Sequence, residues 1–401
     1  MTDIYCPLRS LNLGHWFKLI CGASYLHLPA VRNLTLAYTL AGADCIDVAA
    51  DSAVIAAAQE ALQVAGNLTA EAQRRGFDLP GRPWLMVSLN DGEDPHFRKA
   101  EFDRAECPSD CPRPCESICP AQAIVFNGLG ETLTLSPPGS PAGPPLFSGV
   151  VADRCYGCGR CLPVCPSQLI YTRSYVTTPQ AIAPLVLSTG VDAVEIHTQV
   201  GRLDDFERLW QAISPWVDKL KLVAISCPDG DSLIDYLRSL YDLIAPLPCP
   251  LIWQTDGRPM SGDIGDGTTR AAVKLGQKVL AAGLPGYVQL AGGTNSSTVA
   301  KLKAAGLLNL PLEPSAPLPF VAGIAYGSYA RVLLSPILDQ LEKMEVNKTS
   351  SMAPARLEEN PDLLWEAVAL AHSLVSQLKS SQLALSRSRA PSFSLSLEKS
   401  L

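Results

Sequence analysis

Apolar positions along the chain gather into short runs separated by longer stretches of mixed character. The runs fall at 17–23 (FKLICGA), 45–50 (CIDVAA), 84–90 (WLMVSLN), 193–198 (AVEIHT), 222–227 (LVAISC), 251–257 (LIWQTDG), 287–295 (YVQLAGGTN) and 320–328 (FVAGIAYGS). Near-continuous hydrophobicity over so few residues suits strands buried on both faces. Every run but the third leads into helical periodicity, clearest in SAVIAAAQEALQVAGNL (52–68) and LDDFERLWQAISPWVDKL (203–220). Repeated strand–helix units predict an α/β fold, and eight of them over roughly 300 residues fit a (β/α)8 barrel. A doubly wound open sheet is the competing arrangement. After the third run the chain enters a cysteine-rich segment instead of a helix, which predicts a module inserted there, over the barrel's C-terminal face. The expected division is a first part of the barrel at 10–92, the inserted module at 93–176, the second part of the barrel at 177–378 and a Ser-rich, disordered tail at 379–401. Within the module, SPPGSPAGPPLFSG (136–149) reads as a Pro/Gly loop separating two cysteine runs.

Those runs hold eight of the thirteen cysteines. In the second, Cys155, Cys158, Cys161 and Cys165 read C-x2-C-x2-C-x3-C-P. Thiolates at this spacing can point inward at one iron–sulfur cluster, and in two-cluster ferredoxins the fourth, before a proline, is turned toward the other cluster. A structural zinc site usually separates two cysteine pairs by a dozen or more residues. Gly157 and Gly159 let the backbone curl and free amides for cluster sulfur. In the first run, Cys107, Cys111, Cys115 and Cys119 are each separated by three residues, and Asp110 stands where a two-residue spacing would place the second thiolate. The endings CPAQAI (119–124) and CPSQLI (165–170) read as two copies of one half-unit.

Composition narrows the rest. Hydrophobic residues make up 47% of the 401-residue chain and charged residues 18%, enough for a large core. A formal charge of −7 argues against a nucleic-acid surface, which needs a clustered basic face. No basic segment leading into an apolar run opens the chain, and no run reaches the ~18 apolar residues of a spanning helix. The expectation is a cytoplasmic protein without a membrane span. In a reducing compartment such cysteine spacings favour metal over disulfides.

Other candidates are weaker. AGGTNSS (291–297) and GIAYGSYAR (323–331) follow the seventh and eighth strands, where barrels often bind phosphate, or their glycines only shape turns. DGRPMSGDIGDGTT (256–269), with Asp256, Asp263 and Asp266, reads either as a cover over a ligand or as an acidic surface loop. Glu195 and His197 on the fourth strand are read as pointing to opposite sides, with Glu195 a satisfied structural group rather than a base. Cys21, Cys45, Cys227 and Cys249 read as buried small hydrophobes, and Cys6 has no assignment. There is no Ser-His-Asp arrangement, Walker loop or GxGxxG, so no catalytic residue is assigned.

Together with CGASYLHLPAVRNLTLAYTLAGADCIDVAAD (21–51), the strand–helix frame and the two cysteine runs resemble the cyanobacterial light-dependent-period (LdpA) family of iron–sulfur proteins, over about residues 10–375. The inserted segment is similar to a bacterial dicluster ferredoxin. That likeness implies crossed ligation, with Cys155, Cys158, Cys161 and Cys119 on one [4Fe–4S] cluster, and Cys107, Cys111, Cys115 and Cys165 on the other. With Cys111 set aside the first run reads C-x7-C-x3-C-P, which resembles seven-iron ferredoxins, so the second cluster is either [4Fe–4S] or [3Fe–4S] without Cys111. The family resemblance implies a redox sensor that feeds light-dependent cellular redox state to the circadian clock, with clock proteins as partners and quinone as a candidate ligand. The alternative is an oxidoreductase whose clusters pass electrons to a flavin or substrate in the barrel. The sensor is the favoured reading, because the chain shows neither a flavin motif nor an evident proton-transfer set.

Overall fold

The computed structural model describes residues 6–22, 27–77, 81–92, 94–119, 122–126, 149–151, 154–155, 159–258, 265–309, 319–346 and 356–379. The Ser-rich tail from 380, most of the Pro/Gly loop, Gly157, Cys158, Asp263 and the Cys6 side chain lie outside them.

Helix α1 (Cys6–Leu13) precedes strand β1 (Trp16–Gly22), and α2 (Leu28–Leu40) leads to β2 (Cys45–Ala49). Helix α3 (Ser52–Arg74) leads to β3 (Trp84–Asn90). The chain then leaves the frame through β4 (Asp94–Glu101), α4 (Pro114–Ile118), α5 (Cys161–Val164) and β5 (Tyr171–Thr177). It rejoins at α6 (Pro179–Leu187) and β6 (Ala193–His197). The units α7 (Leu203–Ile213)–β7 (Leu222–Pro228), α8 (Leu233–Ile244)–β8 (Leu251–Asp256), α9 (Thr269–Ala281)–β9 (Tyr287–Ala291) and α10 (Thr298–Ala304)–β10 (Gly323–Tyr326) follow. Helices α11 (Ser328–Val346) and α12 (Pro361–Lys379) complete the described chain. The eight barrel strands are parallel and close in the order β1-β2-β3-β6-β7-β8-β9-β10. A doubly wound sheet would leave two edges, but β10 pairs with β1 from Trp16↔Gly323 to Leu19↔Tyr326, so that alternative fails. No helix among the described residues is long and apolar enough to cross a membrane.

The strands are apolar on both faces because both are covered. Outward Phe17, Leu19, Ile46, Val48, Val87, Ile196 and Ile225 are buried in the layer shared with the helices. Phe17 stacks on Tyr38 of α2 and on Tyr326, with ring centroids 5.9 and 5.0 Å apart. At the N-terminal end of the barrel, Leu11 of α1 joins an inward plug of Trp16, Trp84, Met86, Leu222 and Ile252. Asp51 caps α3 by accepting from Ala53 N at 2.8 Å and Val54 N at 3.3 Å, an interaction worth about 1 kcal/mol.

The departure from the frame after β3 lies at the strand's C-terminal end. There β4 and β5 form an antiparallel ladder, and α4 packs on α5. Phe102, Ile124, Phe126, Val150 and Ile170 build a separate small core with Cys115, Cys155 and Cys161. Lys99 on β4 reaches back to the barrel, with Nζ 2.9 Å from Asp51 Oδ2.

Candidate functional site

The two cysteine runs fold alike. In the first, Glu116 N donates to Arg113 O at 3.1 Å, Cys119 N to Glu116 O at 3.4 Å and Gln122 N to Cys119 O at 3.1 Å. In the second, Leu162 N donates to Gly159 O at 3.1 Å, Cys165 N to Leu162 O at 3.4 Å and Gln168 N to Cys165 O at 3.1 Å. Gln122 and Gln168 both sit in the left-handed region, at φ 48° and 53°. The half-unit repeat in the sequence is therefore a repeat of backbone geometry.

Around this repeat lie seven of the eight candidate ligands; Cys158 is outside the described residues. Cys115, Cys155 and Cys161 are buried, and Cys107, Cys119 and Cys165 pack against the same core. Backbone amides already point at sulfur: Ala100 N donates to Cys155 Sγ at 3.3 Å and Ala123 N to Cys119 Sγ at 3.2 Å. Burial raises the Cys115 thiol to about 11, with the charge of Cys165 adding to it. Burial also raises Cys107, followed by Cys111 and Cys165, while Arg113 opposes them. Cys165, from the second run, is thus a neighbour of Cys107 and Cys115 in the first. Cys111 contacts Cys107, whereas Asp110 is exposed. Thiols that raise one another's pKa stay protonated when nothing is bound, and a cationic centre is what would let such closely set sulfurs coexist as thiolates. The candidate donors are all sulfur, the usual ligand set of an iron–sulfur cluster. Among the described residues no three His, Cys, Asp or Glu side chains converge on the spacing of one metal ion.

The barrel interior is a second polar assembly, and most of it escaped sequence reasoning. Lys18 of β1, fully buried, lies 3.0 Å from Asp47 Oδ2 on β2, pairs with Glu195 on β6, and donates to Gln254 Oε1 on β8 at 3.0 Å. Gln254 Nε2 donates to Glu195 Oε1 at 2.6 Å and to Ser226 Oγ on β7 at 3.0 Å. Gln289 Nε2 on β9 donates to Gln254 Oε1 at 2.6 Å, and Trp16 Nε1 donates to Gln289 Oε1 at 2.6 Å. Ser88 Oγ on β3 donates to Asp47 Oδ1 at 2.7 Å. Burial alone would push the Lys18 ammonium down, but Asp47 and Glu195 hold it above its ordinary value. Burial likewise works to raise Glu195, yet Lys18 and His197 bring it below the usual carboxylate range. Asp47 stays raised by burial despite Lys18.

His197 corrects an expectation. Its Nε2 lies 3.1 Å from Glu195 Oε1, so the two side chains share a face. Side chains alternate along a strand with period two, so residues two apart point the same way. Glu195 is a satisfied structural group, as expected. Toward the barrel's mouth, Asp256 at the end of β8 keeps a buried Oδ1 without a hydrogen-bond partner among the described residues. Burial raises its carboxyl to about 6, with His197 working in the opposite direction.

The described residues of the remaining candidates make contacts within the fold. In 291–297, Gly292 and Gly293 take φ of 66° and 88°, and a β-carbon on Gly292 would stand 1.9 Å from Asp256 Oδ1. Thr294 Oγ1 donates to Ala325 O at 2.6 Å and Asn295 Nδ2 to Gly265 O at 2.8 Å, so this turn's polar side chains serve the fold. In 323–331, Arg331 Nη1 donates to Ile20 O at 3.0 Å. Of 256–269, residues 259–264 lie outside the described set. Cys21, Cys45 and Cys227 are buried as expected, and Cys249 is partly buried.

Residues 107–176 match the family described as "LdpA Fe-S cluster-binding domain", and residues 185–377 match "Light dependent period A C-terminal domain". Light dependent period A of Synechococcus elongatus (strain ATCC 33912 / PCC 7942 / FACHB-805) is 48% identical over 373 residues, covering 93% of this chain and 94% of that one. Among solved structures, Mycobacterium tuberculosis tryptophan synthase aligns at a TM-score of 0.37 and 11% identity, covering 93% of this chain and 94% of that chain. The homocysteine methyltransferase MmuM from Escherichia coli aligns at 0.37 and 13%, covering 81% and 98%.

Proposed function

The chain belongs to the light-dependent period A family of iron–sulfur proteins, and from that premise we propose that it senses redox state through two clusters and passes light-dependent redox information to the circadian clock. The observation that carries the cluster reading is the meeting of the two runs, which sets Cys165 beside Cys107 and Cys115. In this reading Cys107, Cys111, Cys115 and Cys165 hold one cluster, and Cys155, Cys158, Cys161 and Cys119 hold the other, a [4Fe–4S]. The contact of Cys111 with Cys107 and the exposure of Asp110 favour four cysteine ligands, hence [4Fe–4S], on the first set as well; a [3Fe–4S] there requires Cys111 to stand aside. Bound clusters supply a one-electron change of charge. The protein's own part is to bury the sulfurs, aim the Ala100 and Ala123 amides at them, and hold β4 to the barrel through Lys99 and Asp51. Clock proteins are the proposed partners and the cytoplasm the proposed location, with quinone a candidate signal. The test is to express Cys161→Ser in place of the native chain in the cyanobacterial host. The rhythm's period should then stop responding to light intensity; a wild-type response with the cluster gone overturns the sensor.

The polar barrel interior favours a second reading, an oxidoreductase. Barrels with a purely structural interior fill it with branched apolar side chains, whereas this one carries a charged layer leading through Glu195 to His197 and Asp256. Flavin absorbance in anaerobically purified protein supports this reading; its absence, with no substrate-dependent bleaching of the clusters, removes it.

A further inference from the structure

The two halves of the cysteine module share their hydrogen bonds, and they part at Arg113. Arg113 and Gly159 occupy the same place in the repeat, because each carbonyl accepts from the amide three residues on, at 3.1 Å in both halves. Both residues take a left-handed backbone, with φ of 54° and 72°. Glycine adopts that conformation freely, whereas a residue with a β-carbon does so at a cost. The second half uses glycine there and the first half does not. A non-glycine residue kept in such a conformation points to something its side chain does.

The side chain is held rather than loose. The Arg113 guanidinium lies 4.3 Å over the Phe126 ring, and Phe126 belongs to the buried core of the module. Its charge acts on Cys107, which neighbours Cys111 and Cys165. At the matching place Gly159 has no side chain. Arg160, one residue on, sits in ordinary right-handed backbone at φ −59° and matches Pro114 in the first half. A fixed cation beside a redox centre favours the state carrying the added electron, since cluster potential follows local charge and exposure.

We propose that Arg113 is a tuning residue, a positive charge pinned on Phe126 that raises the reduction potential of the cluster held by Cys107, Cys111, Cys115 and Cys165 and makes the two clusters electrochemically unequal. The inference rests on the iron–sulfur reading above. It gives the strained backbone a purpose, and it predicts that stability and potential respond to Arg113 in opposite directions.

The experiment is an EPR-monitored redox titration of full-length protein purified anaerobically, comparing Arg113→Gly, Arg113→Lys, Arg113→Gln and the control Arg160→Gln. Arg113→Gly should keep its iron, denature no earlier than wild type, and shift the first cluster's one-electron equilibrium at least tenfold toward oxidation, ~59 mV. Arg113→Lys should restore most of that shift, and Arg160→Gln should leave the first cluster where it was. Should Arg113→Gly lose iron, Arg113→Gln carries the comparison, since Gln122 and Gln168 already accept a left-handed backbone in this module. A first-cluster potential unchanged in an iron-replete Arg113→Gly or Arg113→Gln protein overturns the tuning role while leaving the clusters in place. Wild-type protein without iron or sulfide overturns the iron–sulfur reading itself.

Discussion

Replacing Asp256 with asparagine should stabilise the protein at neutral pH, with a gain that fades as the pH falls. Burial at the end of β8 raises this carboxyl from 3.8 to about 6, and among the described residues its Oδ1 has no hydrogen-bond partner to offset the loss of water. A difference of about 2 units at ~1.4 kcal/mol each amounts to about 3 kcal/mol. In the unfolded chain the group ionises near its ordinary value, whereas in the folded chain it holds its proton up to about 6. Folding therefore carries the full cost of the buried charge above pH 6, and none below the unfolded pKa. Asparagine keeps the shape and does not titrate. Urea midpoints for both proteins from about pH 4 to about pH 8 give the difference directly, and other titrating groups cancel because both chains contain them. The variant should lead by about 3 kcal/mol at the alkaline end and converge on wild type at the acid end. A difference that stays constant across the range, or a variant weaker at about pH 8, refutes the argument.

Lys18→Met should cost about 3–5 kcal/mol, because Asp47 and Glu195 would be left buried without their cation, and adding Glu195→Gln should recover a large part; a loss below about 1 kcal/mol in the urea midpoint would mean water or relaxation already compensates the network. Cys158→Ser and Cys161→Ser should each remove one cluster and open the module to proteolysis, while the barrel keeps its far-UV signal, since small cysteine-rich units draw much of their folding free energy from metal; iron content unchanged in either variant contradicts the ligand assignment. Cys111→Ser should convert the first cluster into a three-iron centre with an oxidised-state EPR signal, whereas an unchanged spectrum shows that Cys111 is not a ligand.

Much of this architecture is legible in the sequence because parallel barrel strands are short, apolar on both faces and followed by helices. The eight runs, from FKLICGA to FVAGIAYGS, are the eight barrel strands, and the missing helix after WLMVSLN marks where the chain leaves the frame. The repeat in CPAQAI and CPSQLI carries its hydrogen bonds with it. The polar layer inside the barrel is not evident from any one strand. Lys18, Asp47, Gln254 and Gln289 each stand alone in an apolar strand, so each looks incidental until closure brings five strands' polar residues to one level. A polar residue recurring at a similar depth in FKLIC, CIDVA, AVEIH, LIWQT and YVQLA was the available signal. The left-handed Arg113 left no mark in the sequence, because nothing about an arginine announces a positive φ.

The central claim is that the two cysteine runs hold iron and sulfide. Its most direct test is the iron and acid-labile sulfide content of full-length protein purified without oxygen, read beside its EPR spectrum before and after reduction. The account predicts about eight irons with matching sulfide per chain, or about seven if the first set holds three. Stoichiometric zinc with neither iron nor sulfide contradicts it.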